Sequence, residues 1–315
     1  MRLQSILKYI FFLLIIFTTS CRKDASYVSI PEFKQKIVVE AYLSPDQDSN
    51  FIYISSTQNR FGELTGAAPS LGNLNLYLSD GTNEINLDTV RKEPYHFNAY
   101  KYYIKNIPVT EGKTYHLKVT SDKGLTAEAN CTVPIKKDFK LEVDTSSIVF
   151  MSEFGFKRSI TYANFSITDI PGESNYYRLL YIYQQYSSLV EYPQNSIKKQ
   201  LQGEMPVTNV YEPGKGDKVF NDIGMDGKKI LLRSIELPPV DLNIDPHPYA
   251  KVDSTILRVY LLNTDKPYYD FHYSLLYWSL GDTPFTEASF TYSNIKGGVG
   301  IFAAYTIDSL IFRVR

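Results

Sequence analysis

Apolar and polar residues alternate along much of this 315-residue chain. In an extended backbone, successive side chains point to opposite faces, so alternation marks a strand with one buried face. The pattern begins at Lys36-Ile37-Val38-Val39-Glu40-Ala41-Tyr42-Leu43, ended by Ser44-Pro45-Asp46, and returns at Phe51-Ile52-Tyr53-Ile54. Residues 57–72, with Gly62, Gly66 and Pro69, read as a loop. Leu74, Leu76 and Leu78 then alternate with Asn73, Asn75 and Tyr77, and Asp80-Gly81 supplies a hairpin turn into Ile85-Asn86-Leu87. Further strands are predicted from Tyr100 to Ile104 and over 114–119, the latter with Tyr115, Leu117 and Val119 facing inward. Ser121-Asp122-Lys123-Gly124 turns into 125–133, where Ala127, Ala129, Cys131 and Val133 share the inner face, and Pro134 closes it.

Beyond a link at 137–150 the same logic continues. Ala163, Phe165 and Ile167 form one strand face, and Asp169-Ile170-Pro171-Gly172 is a turn. Residues 176–183 are apolar on both faces, which predicts a central strand. Residues 186–228, polar and rich in proline and glycine, read as extended loops, followed by strands at 230–232 and 256–261. The period then changes. Asp265-Lys266-Pro267 places an N-cap before a proline in a first helical turn. Tyr268, Phe271, Leu275 and Trp278 fall on one face of a helix near 266–279, which Gly281 ends, and the last strand covers 308–314. The fold class is therefore mainly β. An N-terminal immunoglobulin- or transthyretin-like antiparallel sandwich is predicted over 35–136, with a second, larger β domain and its short helix over 137–315.

The first residues follow a different rule. Arg2 and Lys8 flank the start of an uninterrupted apolar run, Tyr9 to Phe17, and Thr18-Thr19-Ser20-Cys21 follows. The run is too short to cross about 30 Å of hydrocarbon with polar flanks, so residues 1–20 read as a processed signal peptide. Small residues before a cysteine resemble the bacterial lipobox, with Thr18 where leucine is usual, a departure that lipoproteins of the Bacteroidota accept. Cys21 is then the lipidation site, carrying diacylglycerol and a further acyl group such as palmitate, and residues 21–34 form a tether. Arg22 and Lys23 follow the cysteine without an aspartate, which by analogy with sorting rules favours the outer membrane. Whether the chain faces the cell surface or the periplasm stays open.

Composition narrows the partners. The chain has 33 basic and 34 acidic residues; removing residues 1–20 takes two bases, Arg2 and Lys8, and no acid, for a net charge of −3. With no dense basic block, nucleic-acid binding is not expected. The 26 tyrosines and 18 phenylalanines suit a pleated, half-buried surface. Exposed tyrosines would also serve ligand stacking. With Cys21 acylated, Cys131 has no disulfide partner and is expected as a small buried hydrophobe.

Catalytic patterns are missing from the sequence. There is no Gly-x-Ser-x-Gly elbow, no His-Glu-x-x-His helix and no paired-cysteine motif, so no catalytic residue and no cofactor beyond the acyl groups is expected. His96, His116, His247 and His272 have no His or Cys neighbour at metal-ligand spacing. Alternate donors in 241–247 make Asp241, Asp245 and His247 the metal candidates, although a proline-rich capped loop accounts for them equally. Asn221-Asp222 through Asp226-Gly227 lacks EF-hand spacing and reads as a turn.

Two longer stretches carry a family resemblance. Residues 168–178, from Thr168-Asp169-Ile170-Pro171-Gly172 to Tyr176-Tyr177-Arg178, and residues 292–302, with Lys296-Gly297-Gly298-Val299-Gly300, resemble DUF4249, a domain of unknown function found in outer-membrane lipoproteins of the Bacteroidota. Tyr268-Tyr269 and Asp282-Thr283-Pro284-Phe285 resemble it too, and the likeness covers the mature chain in order. It implies a lipoprotein encoded beside a TonB-dependent receptor, and it carries over no catalytic residue. In the residues themselves, Gly297, Gly298 and Gly300 predict a close backbone approach rather than a phosphate cradle, because no helix follows. The expected function is a non-catalytic accessory partner of a TonB-dependent transporter, in uptake or envelope assembly. The alternative is a stand-alone glycan- or peptide-binding surface module using exposed tyrosines.

Overall fold

The computed structural model describes residues 32–59, 69–86, 92–95, 99–104, 107–137, 139–151, 157–191, 196–206, 218–232, 235–237, 250–278 and 291–313. The first half contributes β1 (Ile37–Leu43), β2 (Asn50–Ser56), β3 (Leu74–Ser79), β4 (Glu84–Asn86), β5 (Lys92–Tyr95), β6 (Ala99–Ile104), β7 (Thr114–Ser121) and β8 (Thr126–Thr132). There follow β9 (Lys140–Met151), β10 (Lys157–Thr168), β11 (Tyr176–Glu191), β12 (Ser196–Pro206), β13 (Lys218–Asn221), β14 (Lys229–Leu231) and β15 (Ile235–Leu237). The chain closes with β16 (Ala250–Thr264), the helix α1 (Lys266–Trp278) and β17 (Val299–Arg313). The fold is mainly β, as the alternation predicts, and every one of these elements lies in a single unit, Gln35–Gln58 with Thr65–Arg315.

A nine-stranded sheet has the order β12-β11-β16-β17-β1-β2-β6-β5, with β13 also paired to β11. Its pairs are antiparallel except β1 with β17, which run parallel with Val39 opposite Gly300 and Ala41 opposite Phe302. Strands from both sides of residue 136 thus share one sheet. Two four-stranded sheets accompany it, β4-β3-β7-β8 and β14-β10-β15 with β9 on β10.

Side-chain parity sorts the layers. On β17, Phe302 and Ala304 join Ile37, Val39, Ala41 and the inward residues of β3, β7 and β8 in one core. Leu310 and Phe312, of the same parity, pack with Leu257, Val259, Leu261, Phe165 and Ile167 in a second core. Both smaller sheets therefore cover the same face of the large one. Ile301 and Ala303, of opposite parity, meet α1 in a third core with Leu262 and Tyr268. The first core is the sandwich that the leucine and valine alternation predicts; Tyr115, Leu117, Val119, Ala127, Ala129, Cys131 and Val133 are all buried in it.

Three expectations change. The 137–150 link is largely β9, and the polar stretch 186–228 holds the outer part of β11, all of β12 and β13. Ladder hydrogen bonds join backbones whatever the side chains, and β9 exposes six consecutive residues, 144–149, so no alternation announces it. On α1, Leu275 is exposed, whereas Leu276 packs on the core with Tyr268, Tyr269 and Phe271. The inward stripe includes His272, a polar residue that a search for apolar spacing passes over.

Candidate functional site

Several residues singled out by the sequence lie outside the described residues. These are the leader with Cys21, the metal candidates Asp241, Asp245 and His247, His96, Gly281, and the Asp282–Phe285 stretch. Cys131 is buried, and its thiol is pushed well up by burial. His116 is exposed on its strand, with Nδ1 2.6 Å from Asn130 Oδ1. Among the tyrosines whose side chains are described, Tyr273 alone is exposed. The others sit in the cores or lie half-buried across strands.

The glycine motif joins the first and last strands. Lys296 exchanges backbone hydrogen bonds with Glu128 on β8, at 2.9 and 2.8 Å. Gly300 has φ +112°, and a Cβ there would lie 2.0 Å from the Val39 carbonyl oxygen. Only glycine lets β17 come this close to β1. Asn294 frames the start of the strand by donating to the Phe302 carbonyl at 2.6 Å and accepting from the Phe302 N–H at 3.0 Å. A strand, not a helix, follows the glycines, as their setting predicts for a close approach.

Under α1 the sheet gathers charge and aromatic rings. Asp265 caps the helix by accepting from the Tyr268 N–H at 3.0 Å, while its own N–H donates to the Ala304 carbonyl at 3.0 Å. Arg178, reaching from β11, donates through Nη1 to the Tyr268 hydroxyl at 2.6 Å and lies 3.3 Å from His272 Nε2. Tyr42 of β1 packs edge-on to Tyr268 and stacks on His272, with ring centroids 5.3 and 5.7 Å apart. Burial, and then the Arg178 charge, push the His272 pKa down to about 3, so the ring is neutral and accepts from the guanidinium. Burial raises Asp265 to about 7, against the hydrogen bond from the Tyr268 N–H. Tyr42 is also raised, chiefly by burial. Sequence spacing identifies the helix and its cap but not this clamp, whose members come from β1, β11 and α1.

A second cluster lies where the chain twice passes between sheets. The β10–β11 connection carries Asp169 and Asn175; the β13–β14 connection carries Asp222 and Asp226. They run side by side because β10 pairs with β14, Thr168 opposite Lys229, and β11 pairs with β13, Tyr176 opposite Asn221. Asp169, Asp222 and Asp226 each offer a carboxylate oxygen within 4.8 Å of the others, the first two buried and the third exposed. Tyr177 Oη and the Gly227 N–H donate to Asp169, the Asn175 N–H to Asp222 Oδ2 at 2.9 Å, and the Gly172 N–H to Asp226 Oδ1 at 2.8 Å. The turn at 221–227 thus has a partner 53 residues upstream of Asp222 that local spacing does not supply; its one local signal is the Asp169-Ile170-Pro171-Gly172 turn, which names no partner.

The family described as a domain of unknown function, DUF4249, matches residues 24–311. No curated protein matches the chain.

Proposed function

This chain belongs to the DUF4249 family, and on that premise we propose that it is a non-catalytic lipoprotein, held in the outer membrane by acyl chains on Cys21, that serves as accessory partner of a TonB-dependent β-barrel transporter. The observation that carries the reading is the N-terminal pattern: Arg2 and Lys8, the apolar run Tyr9 to Phe17, and Thr18-Thr19-Ser20 before Cys21. Each buried methylene of an acyl chain adds about 0.8 kcal/mol, so two or more chains anchor a water-soluble body durably. The β architecture supports binding over chemistry. Under α1, Arg178 is engaged with Tyr268 and His272, and Asp265 caps the helix backbone.

The test is co-purification of the tagged full-length chain from detergent-solubilised outer membrane of its native host. Palmitate labelling and recovery of a β-barrel partner are expected, with both lost in Cys21→Ala. Recovery of an unacylated chain, or of an acylated chain with no barrel, would refute the reading.

A further inference from the structure

We propose that Asp169, Asp222, Asp226 and the side-chain amide of Asn175 form a Ca²⁺ site that ties the β10–β11 connection to the β13–β14 connection. Three carboxylates converge within 4.8 Å, and among the described residues no lysine or arginine pairs with any of them. Backbone N–H groups and the Tyr177 hydroxyl orient the carboxylates but bring no full positive charge. Asp222 Oδ1 and Asp226 Oδ2 accept no hydrogen bond among the described residues, so each of these carboxylates keeps an oxygen that no protein donor occupies.

Asn175 is the independent observation. The residue is 5% exposed, and its Oδ1 is buried with no hydrogen-bond partner. Its backbone N–H donates to Asp222 Oδ2 at 2.9 Å, so covalent geometry holds Oδ1 within roughly 7 Å of that carboxylate. An amide placed to hydrogen-bond carboxylates would bury its NH₂ group; here the oxygen is the buried atom, on the residue whose own N–H already bonds Asp222. A buried, unsatisfied acceptor needs a physical account, and a cation supplies one.

The donor set selects the ion. Calcium takes six to eight oxygens at about 2.3–2.6 Å from carboxylates, amide carbonyls and water in flexible geometry. Magnesium demands a near-ideal octahedron and keeps several waters. Two buried carboxylates and a buried amide leave only the exposed Asp226 side for water, which suits calcium. Such an ion would link the nine-stranded sheet to the sheet of β9, β10, β14 and β15, independently of any transporter.

The test uses the full-length lipoprotein in detergent, stripped with a chelator and titrated with CaCl₂ or MgCl₂ by calorimetry and thermal melting. One Ca²⁺ per chain is expected, with Kd no weaker than about 10⁻³ M and a raised Tm, and Mg²⁺ at least about tenfold weaker. Asp226→Asn, at an exposed position where the amide oxygen can still accept from the Gly172 N–H, and Asn175→Ala should each weaken Ca²⁺ by about tenfold or more. Tb³⁺ provides a second readout. Excitation of Tyr177, whose hydroxyl donates to Asp169, should sensitise its emission, and Ca²⁺ should quench it by displacement. No heat and no Tm shift, equal affinity for Mg²⁺, or unchanged binding in both variants would each overturn the site.

Discussion

Arg178 on β11 and Tyr268 in the first turn of α1 are joined by a 2.6 Å hydrogen bond from guanidinium to phenol oxygen. Tyr268 is 3% exposed and also touches Tyr42, His272 and Tyr305, so its ring is both the helix's main apolar anchor and an acceptor for a charged group. The two roles separate by mutation. Tyr268→Ala removes a buried ring and should cost about 3–5 kcal/mol. Tyr268→Phe keeps the ring and deletes only the acceptor, and should cost about 1.5–3 kcal/mol, the scale of a hydrogen bond to a charged group. Urea unfolding with unchanged m values measures both. Equal losses for the two variants would show that the hydroxyl alone holds the helix.

Two groups on the same helix give opposite responses to pH. His272 is held down to about 3 by burial and Arg178, against an ordinary value of 6.5. Between those values the unfolded chain binds the proton that the folded chain refuses, so this contribution to stability is complete above about pH 6.5 and falls as the pH drops towards 3. Asp265 is raised to about 7 from 3.8, chiefly by burial, and its Oδ2 has no hydrogen-bond partner. Between 3.8 and 7 the folded chain keeps a proton that the unfolded chain releases, so this contribution falls as the pH rises. Over the shared range the two slopes oppose each other. Tm against pH from 4 to 7.5 should therefore tilt downward with pH in His272→Phe, relative to the parent, and upward in Asp265→Asn. Parallel curves for all three proteins would refute both assignments.

The same helix shows how far the sequence alone carries. Its start is legible because Asp265 and Pro267 are local signals, and the sandwich strands are legible because Leu74, Leu76 and Leu78 or Ala127, Ala129 and Cys131 repeat every second residue. Parity also orients Cys131 correctly. What joins distant segments is not legible. The parallel pairing of β1 with β17 connects residues about 260 positions apart, and its only local trace is Gly300, whose need for space names no partner. β9 escapes because its exposed residues carry no alternation. His272 and Asp169 escape for a related reason: a polar residue turned inward contradicts the pattern that identifies the face, and its partners come from other strands.

Cys131 offers a direct check on that inner face. It is 2% exposed among apolar residues of β7 and β8, and burial pushes its thiol well above the ordinary value. The thiolate is the reactive form, so a disulfide-exchange reagent at pH 8 should leave the folded chain unlabelled at this position and react once it is denatured. Cys131→Ser puts a polar hydroxyl on a buried, mainly apolar face and should cost about 1–3 kcal/mol, whereas Cys131→Ala should cost less than the serine variant. Rapid labelling under native conditions would show that the strand does not face the core.

Gly300 and Gly81 separate two demands on glycine that are usually conflated. Both have positive φ, +112° and +84°. At Gly81 a Cβ would meet nothing within 4 Å, so Gly81→Ala should incur only the backbone penalty of about 1–2 kcal/mol. At Gly300 the same methyl would lie 2.0 Å from the Val39 carbonyl oxygen, and Val39 is its partner across the parallel β1–β17 pair. Rigid backbone on both sides leaves the methyl nowhere to go unless the strands part. That parting would open the first core at Phe302 and Ala304 and loosen Ile301 beneath the helix. Gly300→Ala should therefore lose more than about 4 kcal/mol or fail to accumulate as folded protein, a loss reserved for a few severe mechanisms. Urea melts of the two variants side by side decide the matter: a Gly300→Ala midpoint equal to that of Gly81→Ala would mean that β17 does not approach β1 through the glycine.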